Sequence, residues 1–119
     1  MSFAGKETGK EGEEIAAAFL IKLGYAILQR NFACKLGEID IVAQDGDTLV
    51  FVEVKAFGKA TWSEGPVVNV TPQKQRQVIG AARYFMARLG REVYARFDVV
   101  TVWPGADKPV EHFVGAFSL

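Results

Sequence analysis

Two carboxylates and an ammonium group, Asp40, Glu53 and Lys55, stand in two strand-like runs that a turn brings together. The stretch from Gly37 to Lys55 reads GEIDIVAQDGDTLVFVEVK, and its Asp45-Gly46 pair between apolar runs is a strong hairpin signal. A two-residue loop at Asp45 and Gly46 pairs Gln44 with Asp47, placing Asp40 opposite Phe51 and Glu38 opposite Glu53. Strand faces alternate with period two, so one face carries Ile39, Ile41, Ala43, Val50, Val52 and Val54, all apolar. The other carries Glu38, Asp40, Val42, Leu49, Phe51, Glu53 and Lys55. Asp40 is then diagonal to Glu53 at roughly 7–8 Å between Cα atoms, a span that two carboxylate side chains close around a shared ion.

Acids bunched at the end of a hydrophobic strand pair repel one another and lose hydration, so they need a counter-charge or a cation to stay ionised. An all-oxygen donor set favours a hard ion, Mg²⁺ or Mn²⁺, over zinc. Spacing alone leaves a second reading open, in which the three residues form a solvated sheet end with an ordinary ion pair.

The elements that must position these groups read as follows. Residues 1–8 are expected to form a loose arm, and Gly9 to Leu23 an amphipathic helix with Ile15, Ala16, Phe19, Leu20 and Leu23 on one stripe and Gly24 as its cap. Glu11, Glu13 and Glu14 crowd its first turns, where acids complement the helix dipole. Glu13 also borders the core-facing stripe and is placed to reach over the sheet toward Asp40. Tyr25 to Asn31 reads as a first strand, with Phe32 to Leu36 leading into the hairpin. Ala56 to Asn69 is a long loop holding Phe57, Lys59 and Trp62, aromatics that either stack on exposed bases or cover the core edge. Thr71-Pro72 starts a helix that runs to about Leu89, with Val78, Ala82, Phe85 and Leu89 as its buried stripe and Gly90 as its stop. Lys74 lies at the N-terminal end of that stripe and must either snorkel out or meet buried acids. Arg96 to Trp103 and Val110 to Phe117 are the last strands. The order is α-β-β-β-α-β-β, an α/β chain with one mixed central sheet flanked by helices.

At 119 residues the chain is expected to form a single domain, 1–119. The longest apolar runs fall far short of the ~20 residues of a membrane span and the start lacks a signal pattern, so no membrane partner and a cytoplasmic location are expected. The lone cysteine, Cys34, and the lone histidine, His112, have no metal-ligand spacing around them, which excludes a zinc site and a Cys/His nucleophile. No Gly-rich phosphate loop is present, which argues against nucleoside triphosphate chemistry. Net charge is zero, but it is unevenly spread. Residues 1–54 carry net −4, residues 55–96 net +6 and the remainder net −2. A positive segment beside an acidic cluster suits a metal-dependent phosphodiesterase.

Gly37-Glu-Ile-Asp40 followed by Phe51-Val-Glu-Val-Lys55 resembles the PD-(D/E)xK nuclease superfamily, and is especially similar to archaeal Holliday-junction resolvases and the bacterial YraN family. The YraN likeness extends to Gly12-Glu13 with Ala16, Gly24-Tyr25, Arg30-Asn31, Val70-Thr71-Pro72 with Lys74, and Arg96-Phe-Asp98-Val-Val100. The resemblance implies a restriction-endonuclease-like fold with Asp40, Glu53 and Lys55 at the catalytic positions, Glu13 as an accessory acid and Lys74 as a further basic site residue. On this reading Asp40 and Glu53 hold Mg²⁺ or Mn²⁺ with the Val54 carbonyl as third ligand, and Lys59, Lys74, Arg76 and Arg83 grip nucleic acid. The expected partner is DNA rather than RNA, branched or single-stranded, bound by a homodimer. Phe57 and Ala33 depart from the family pattern, which has basic residues there, and remove two phosphate contacts. A nucleic-acid-binding module without turnover, and a structural or protein-interaction domain built on the acidic cluster, are the rival readings.

Overall fold

The computed structural model describes residues 3–58 and 70–119, the side chains of residues 3–8 excepted. Its elements are α1 (Phe3–Lys22), β1 (Ala26–Cys34), β2 (Gly37–Asp45), β3 (Thr48–Ala56), α2 (Pro72–Ala87), β4 (Tyr94–Val102) and β5 (Val110–Phe117). The strands form one sheet in sequential order. Neighbours are antiparallel except β3 and β4, which run parallel and are joined through α2. The α-β-β-β-α-β-β order expected from sequence is therefore the observed one.

One helix covers each face. Ala16, Ala17 and Leu20 of α1 pack on Ile41, Ala43, Val50, Val52, Val100 and Val102. Val78, Ala81 and Ala82 of α2 pack on the other face, against Phe32, Ile39, Val42, Leu49, Phe51 and Phe97. Phe51 is fully buried there with Phe97 stacked on it at 5.6 Å and Phe85 edge-on at 6.0 Å. Burying each such side chain contributes on the order of 1.5–3 kcal/mol.

Local chemistry sets the helix ends. Thr71 caps α2, its Oγ1 accepting the Lys74 N–H at 3.2 Å, and Pro72 occupies the first turn, where no N–H is missed. α1 closes with Gly24 at φ +96°, which lets the Gly24 N–H reach the Ile21 carbonyl and the Tyr25 N–H reach that of Leu20. At its other end α1 begins at Phe3, not Gly9, so residues 3–8 are helix where a loose arm was expected. The apolar stripe that marks a helix in sequence starts only at Ile15, and the good helix formers before it carry no such stripe. With that earlier start Glu11, Glu13 and Glu14 fall mid-helix, and no acid lies in the first turn, so the dipole account of these residues does not hold. Leu23 and Leu89, expected in the buried stripes, lie beyond the helix ends and are exposed.

The hairpin registers are shifted from those expected. The β2–β3 turn is Gly46-Asp47, with Gly46 at φ +63°, and Asp45 pairs with Thr48, Val42 with Phe51 and Ile41 with Val52. Moving the loop by one residue slides the register by two, which keeps each residue's face and changes its neighbour across the ladder. Asp40 is thereby brought level with Glu53 instead of diagonal to it. β1 runs on to Cys34, which pairs with Gly37, so of the segment expected to lead into the hairpin Phe32 to Cys34 is strand and Lys35-Leu36 the turn. Ile39 packs beneath α2 and not with Ile41 beneath α1, a break in alternation at Asp40.

Candidate functional site

β2 and β3 continue past the last rung of their ladder, Ile41 with Val52, and the site occupies the wedge where they part. Asp40 fills that wedge. Its Oδ2 accepts the Val54 backbone N–H at 2.7 Å, so a side chain satisfies a group that the neighbouring strand has left. In an extended strand a residue's N–H and C=O point to the same edge, and the Val54 carbonyl therefore faces the wedge as well.

Glu53 enters from the α2 side, with 12% of its side chain exposed. Its carboxyl is pushed up to about 8, by burial first, then by the charge of Asp40 and a hydrogen bond with it. The Lys74 ammonium, 3.6 Å from Glu53 Oε2, works in the opposite direction. Of the two expectations for Lys74, snorkelling out or meeting acids, the structure shows its partly exposed ammonium beside Glu53. Lys55 is half-buried two residues beyond Glu53 and shares its face by strand alternation.

Glu13 arrives from α1. A Cβ on Gly12 would lie 2.7 Å from the Ala56 Cβ, so the helix rests directly on the end of β3 and delivers the next residue to the wedge. Burial raises the Glu13 carboxyl above its ordinary range, with Asp40's charge adding to it, while a hydrogen bond with Asn31 and the charge of Arg30 pull it down. Arg30 lies 4.0 Å from Glu13 and 2.8 Å from Glu14. The carboxylates of the two helix faces are brought to one sheet opening. Even so, among the described residues no three His, Cys, Asp or Glu side chains are arranged to hold one metal by themselves. The oxygen set that the wedge offers an ion is Asp40, Glu53 and the Val54 carbonyl, and its chemistry fits Mg²⁺ or Mn²⁺.

The remaining basic residues scatter. Arg76 is exposed on α2, two residues beyond Lys74. Arg83 lies about 13 Å farther along the helix than Lys74 by its rise per residue. There it lines an open cleft of about 970 Å³ with Asp47, Arg91, Glu92 and Tyr94, none of which touches the wedge. Lys59 and Trp62 fall outside the described residues. Phe57 stacks on Trp103 at 5.1 Å, which is the core-edge alternative for that aromatic.

Sequence reasoning missed two features. Asn31 has the sole positive φ of a non-glycine among the described residues, +55°, and beyond its place in the Arg30-Asn31 motif a residue type that tolerates that conformation was its visible sign. The second is a buried network around Asp98. Arg96 donates to both Asp98 oxygens at 3.0 Å, the Gly115 N–H donates at 3.0 Å, and His112 Nε2 sits 2.7 Å from Oδ2. Burial alone would raise the Asp98 carboxyl, but hydrogen bonds from His112, Arg96 and Gly115 outweigh it and hold it below its usual range. Arg96 also reaches the Tyr25 hydroxyl at 2.7 Å and Asp45 at 3.3 Å. It ties β2, β4, β5 and the connection from α1 to β1 together.

A mixed sheet of this order, with a helix on each face and acids in the opening between β2 and β3, defines a restriction-endonuclease-like fold. The structure is similar to that of Hjc from Archaeoglobus fulgidus, a Holliday junction resolvase from an archaeal hyperthermophile. The TM-score is 0.55 and the identity 22%, over 86% of this chain and 72% of that one. By sequence the chain belongs to uncharacterised protein family UPF0102, the YraN family, whose model matches residues 12–102. It is 48% identical over 122 residues to UPF0102 protein GSU0650 of Geobacter sulfurreducens, covering 99% of this chain and 94% of the relative. A UPF0102 protein of Geotalea daltonii is 49% identical over 117 residues, 96% of this chain and 91% of the relative.

Proposed function

We propose that this protein is a single-domain, divalent-metal-dependent nuclease acting on DNA phosphodiesters. The observation that carries the reading is the half-buried Asp40–Glu53 pair in the wedge, with the Val54 backbone and the Lys74 ammonium beside it and Lys55 two residues beyond Glu53. Asp40, Glu53 and Val54 O would hold Mg²⁺ or Mn²⁺, which when bound supplies Lewis-acid polarisation of the phosphodiester. Lys55 orients the attacking water and offsets charge that develops on the phosphate. Lys74 is paired with Glu53 at 3.6 Å, and its ammonium would be available to a substrate phosphate were Glu53 to hold an ion instead. Glu13 adds a third carboxylate from the α1 side. Hjc being a Holliday junction resolvase supports DNA as the partner; a branched or single-stranded substrate and a homodimer as the acting species complete the proposal.

One observation favours a second reading, a module that grips DNA without turnover. Phe57, where the family has a basic residue, is stacked on Trp103 and gives no phosphate contact.

The test is isothermal titration of wild type and Asp40→Asn with Mn²⁺, followed by incubation with single-stranded, duplex and four-way-junction DNA. Wild type is expected to bind Mn²⁺, to gain thermal stability from it by mass action, and to cut at least one substrate only when metal is present; Asp40→Asn loses all three. Metal binding without cleavage would select the binding module. Absence of both heat and thermal shift with Mn²⁺ and Mg²⁺ would remove the metal reading.

A further inference from the structure

Arg30 and Phe32 are two residues apart in β1 and should share a face. Instead Arg30 pairs with Glu13 and Glu14 of α1, while Phe32 is buried beneath α2. The same inversion occurs across the ladder, where Ile41 lies under α1 and Ile39 under α2. Arg30 pairs with Ile41 and Phe32 with Ile39, so both strands turn over at the one position that lies between these pairs. Asn31 and Asp40 occupy that position, where the ladder is interrupted.

The physical cause is at Asn31. A left-handed residue inside a strand rotates the chain that follows it, as in a β-bulge, and its partner strand must follow to keep pairing. Beyond this position β2 no longer pairs with β3, and the Asp40 carboxylate, not the neighbouring backbone, takes the Val54 N–H. The Asn31 side chain is also engaged, hydrogen-bonded to Glu13. A carboxylate has only acceptors to offer, so the Asn31 amide N–H is the donor when Glu13 is ionised.

We propose that Asn31 is the positioning residue of the acidic site: its left-handed backbone opens the wedge that Asp40 fills, and its side-chain amide holds Glu13 beside Asp40. This rests on the metal reading above. It gives Asn31 two separable duties. Glycine at this position keeps the backbone conformation and loses the amide; alanine loses both.

The experiment compares wild type, Asn31→Gly, Glu13→Ala and the double variant by thermal melting in chelator and by Mn²⁺ titration calorimetry. Asn31→Gly should melt within a few degrees of wild type yet bind Mn²⁺ about tenfold more weakly, the scale of losing an outer partner of a ligand. Adding Asn31→Gly to Glu13→Ala should change affinity no further, because the amide acts through Glu13. A purely structural role would lower the melting point and leave affinity alone, and that pattern, or additive losses, overturns the proposal. If Asn31→Gly does not fold, the Asn31 side-chain amide resonances of wild type and Glu13→Ala in chelator decide: they should shift between the two proteins, and coincidence overturns it. Wild type that binds no Mn²⁺ defeats the metal reading itself; wild type that binds beside an equally tight Asn31→Gly defeats only this inference.

Discussion

Glu53 is where burial and charge oppose ionisation most strongly, and the sign of the consequence can be worked out. Its carboxyl titrates at about 8 in the folded chain against an ordinary value of 4.5. Between those values the folded protein holds a proton that the unfolded chain has released, so stability falls as pH rises through that window and levels off above it. Glu13 adds to the same trend, its carboxyl also being raised. In chelator, wild type should melt higher at pH 5.5 than at pH 8.5, and Glu53→Gln should flatten the difference; equal slopes by circular dichroism melting would contradict the burial account. The acids themselves were legible in sequence, because carboxylates are rare among strand-forming residues and mark themselves. The backbone role of Asn31 was not, since a positive φ leaves no trace beyond a permissive residue type, and the meeting of His112 with Asp98 depends on a β4–β5 register that an irregularity between Phe97 and Val99 shifts.

Whole elements set the site through two close approaches. Gly12 lets α1 touch the end of β3, and Gly37 lets the β1–β2 turn meet α2, where an added Cβ would lie 2.5 Å from the Gln77 carbonyl oxygen. Gly12→Ala should therefore push α1 away from Ala56 and cost about 1–3 kcal/mol in urea unfolding, as overpacking does. Ala56→Gly in the same chain should restore much of that loss, and failure to do so would place the strain elsewhere. Element types and order could be read from periodicity and caps. The β2–β3 register could not, because the run Asp45-Gly46-Asp47 offers two adjacent turns of nearly equal quality. A two-residue slip preserves strand alternation, so either choice keeps Asp40 close to Glu53.

Across the whole molecule, basic residues of the 55–96 segment stand toward both ends of α2. Lys74 stands at the acids, whereas Arg83 and Arg91 share the far cleft with Asp47 and Glu92. Lys74→Ala should therefore shallow the log–log salt dependence of DNA binding by roughly one unit on every substrate. Arg83→Ala should do so only on DNA reaching about four base pairs past the site, at ~3.4 Å per step. Fluorescence anisotropy across a salt series and a ladder of oligonucleotide lengths separates the two, and equal effects on the shortest substrate would mean that the far cleft is not part of one binding track. The parallel pairing of β3 with β4 has a bearing on how the protein is made. A nascent chain exposes α1, the β1–β2–β3 meander and every acid of the wedge well before Tyr94–Val102 is available to cover the open edge of β3. Contacts between segments so distant in sequence form late. The ribosome thus releases the carboxylates early and the strand that covers the edge of β3 late, so the meander spends part of synthesis with that edge open.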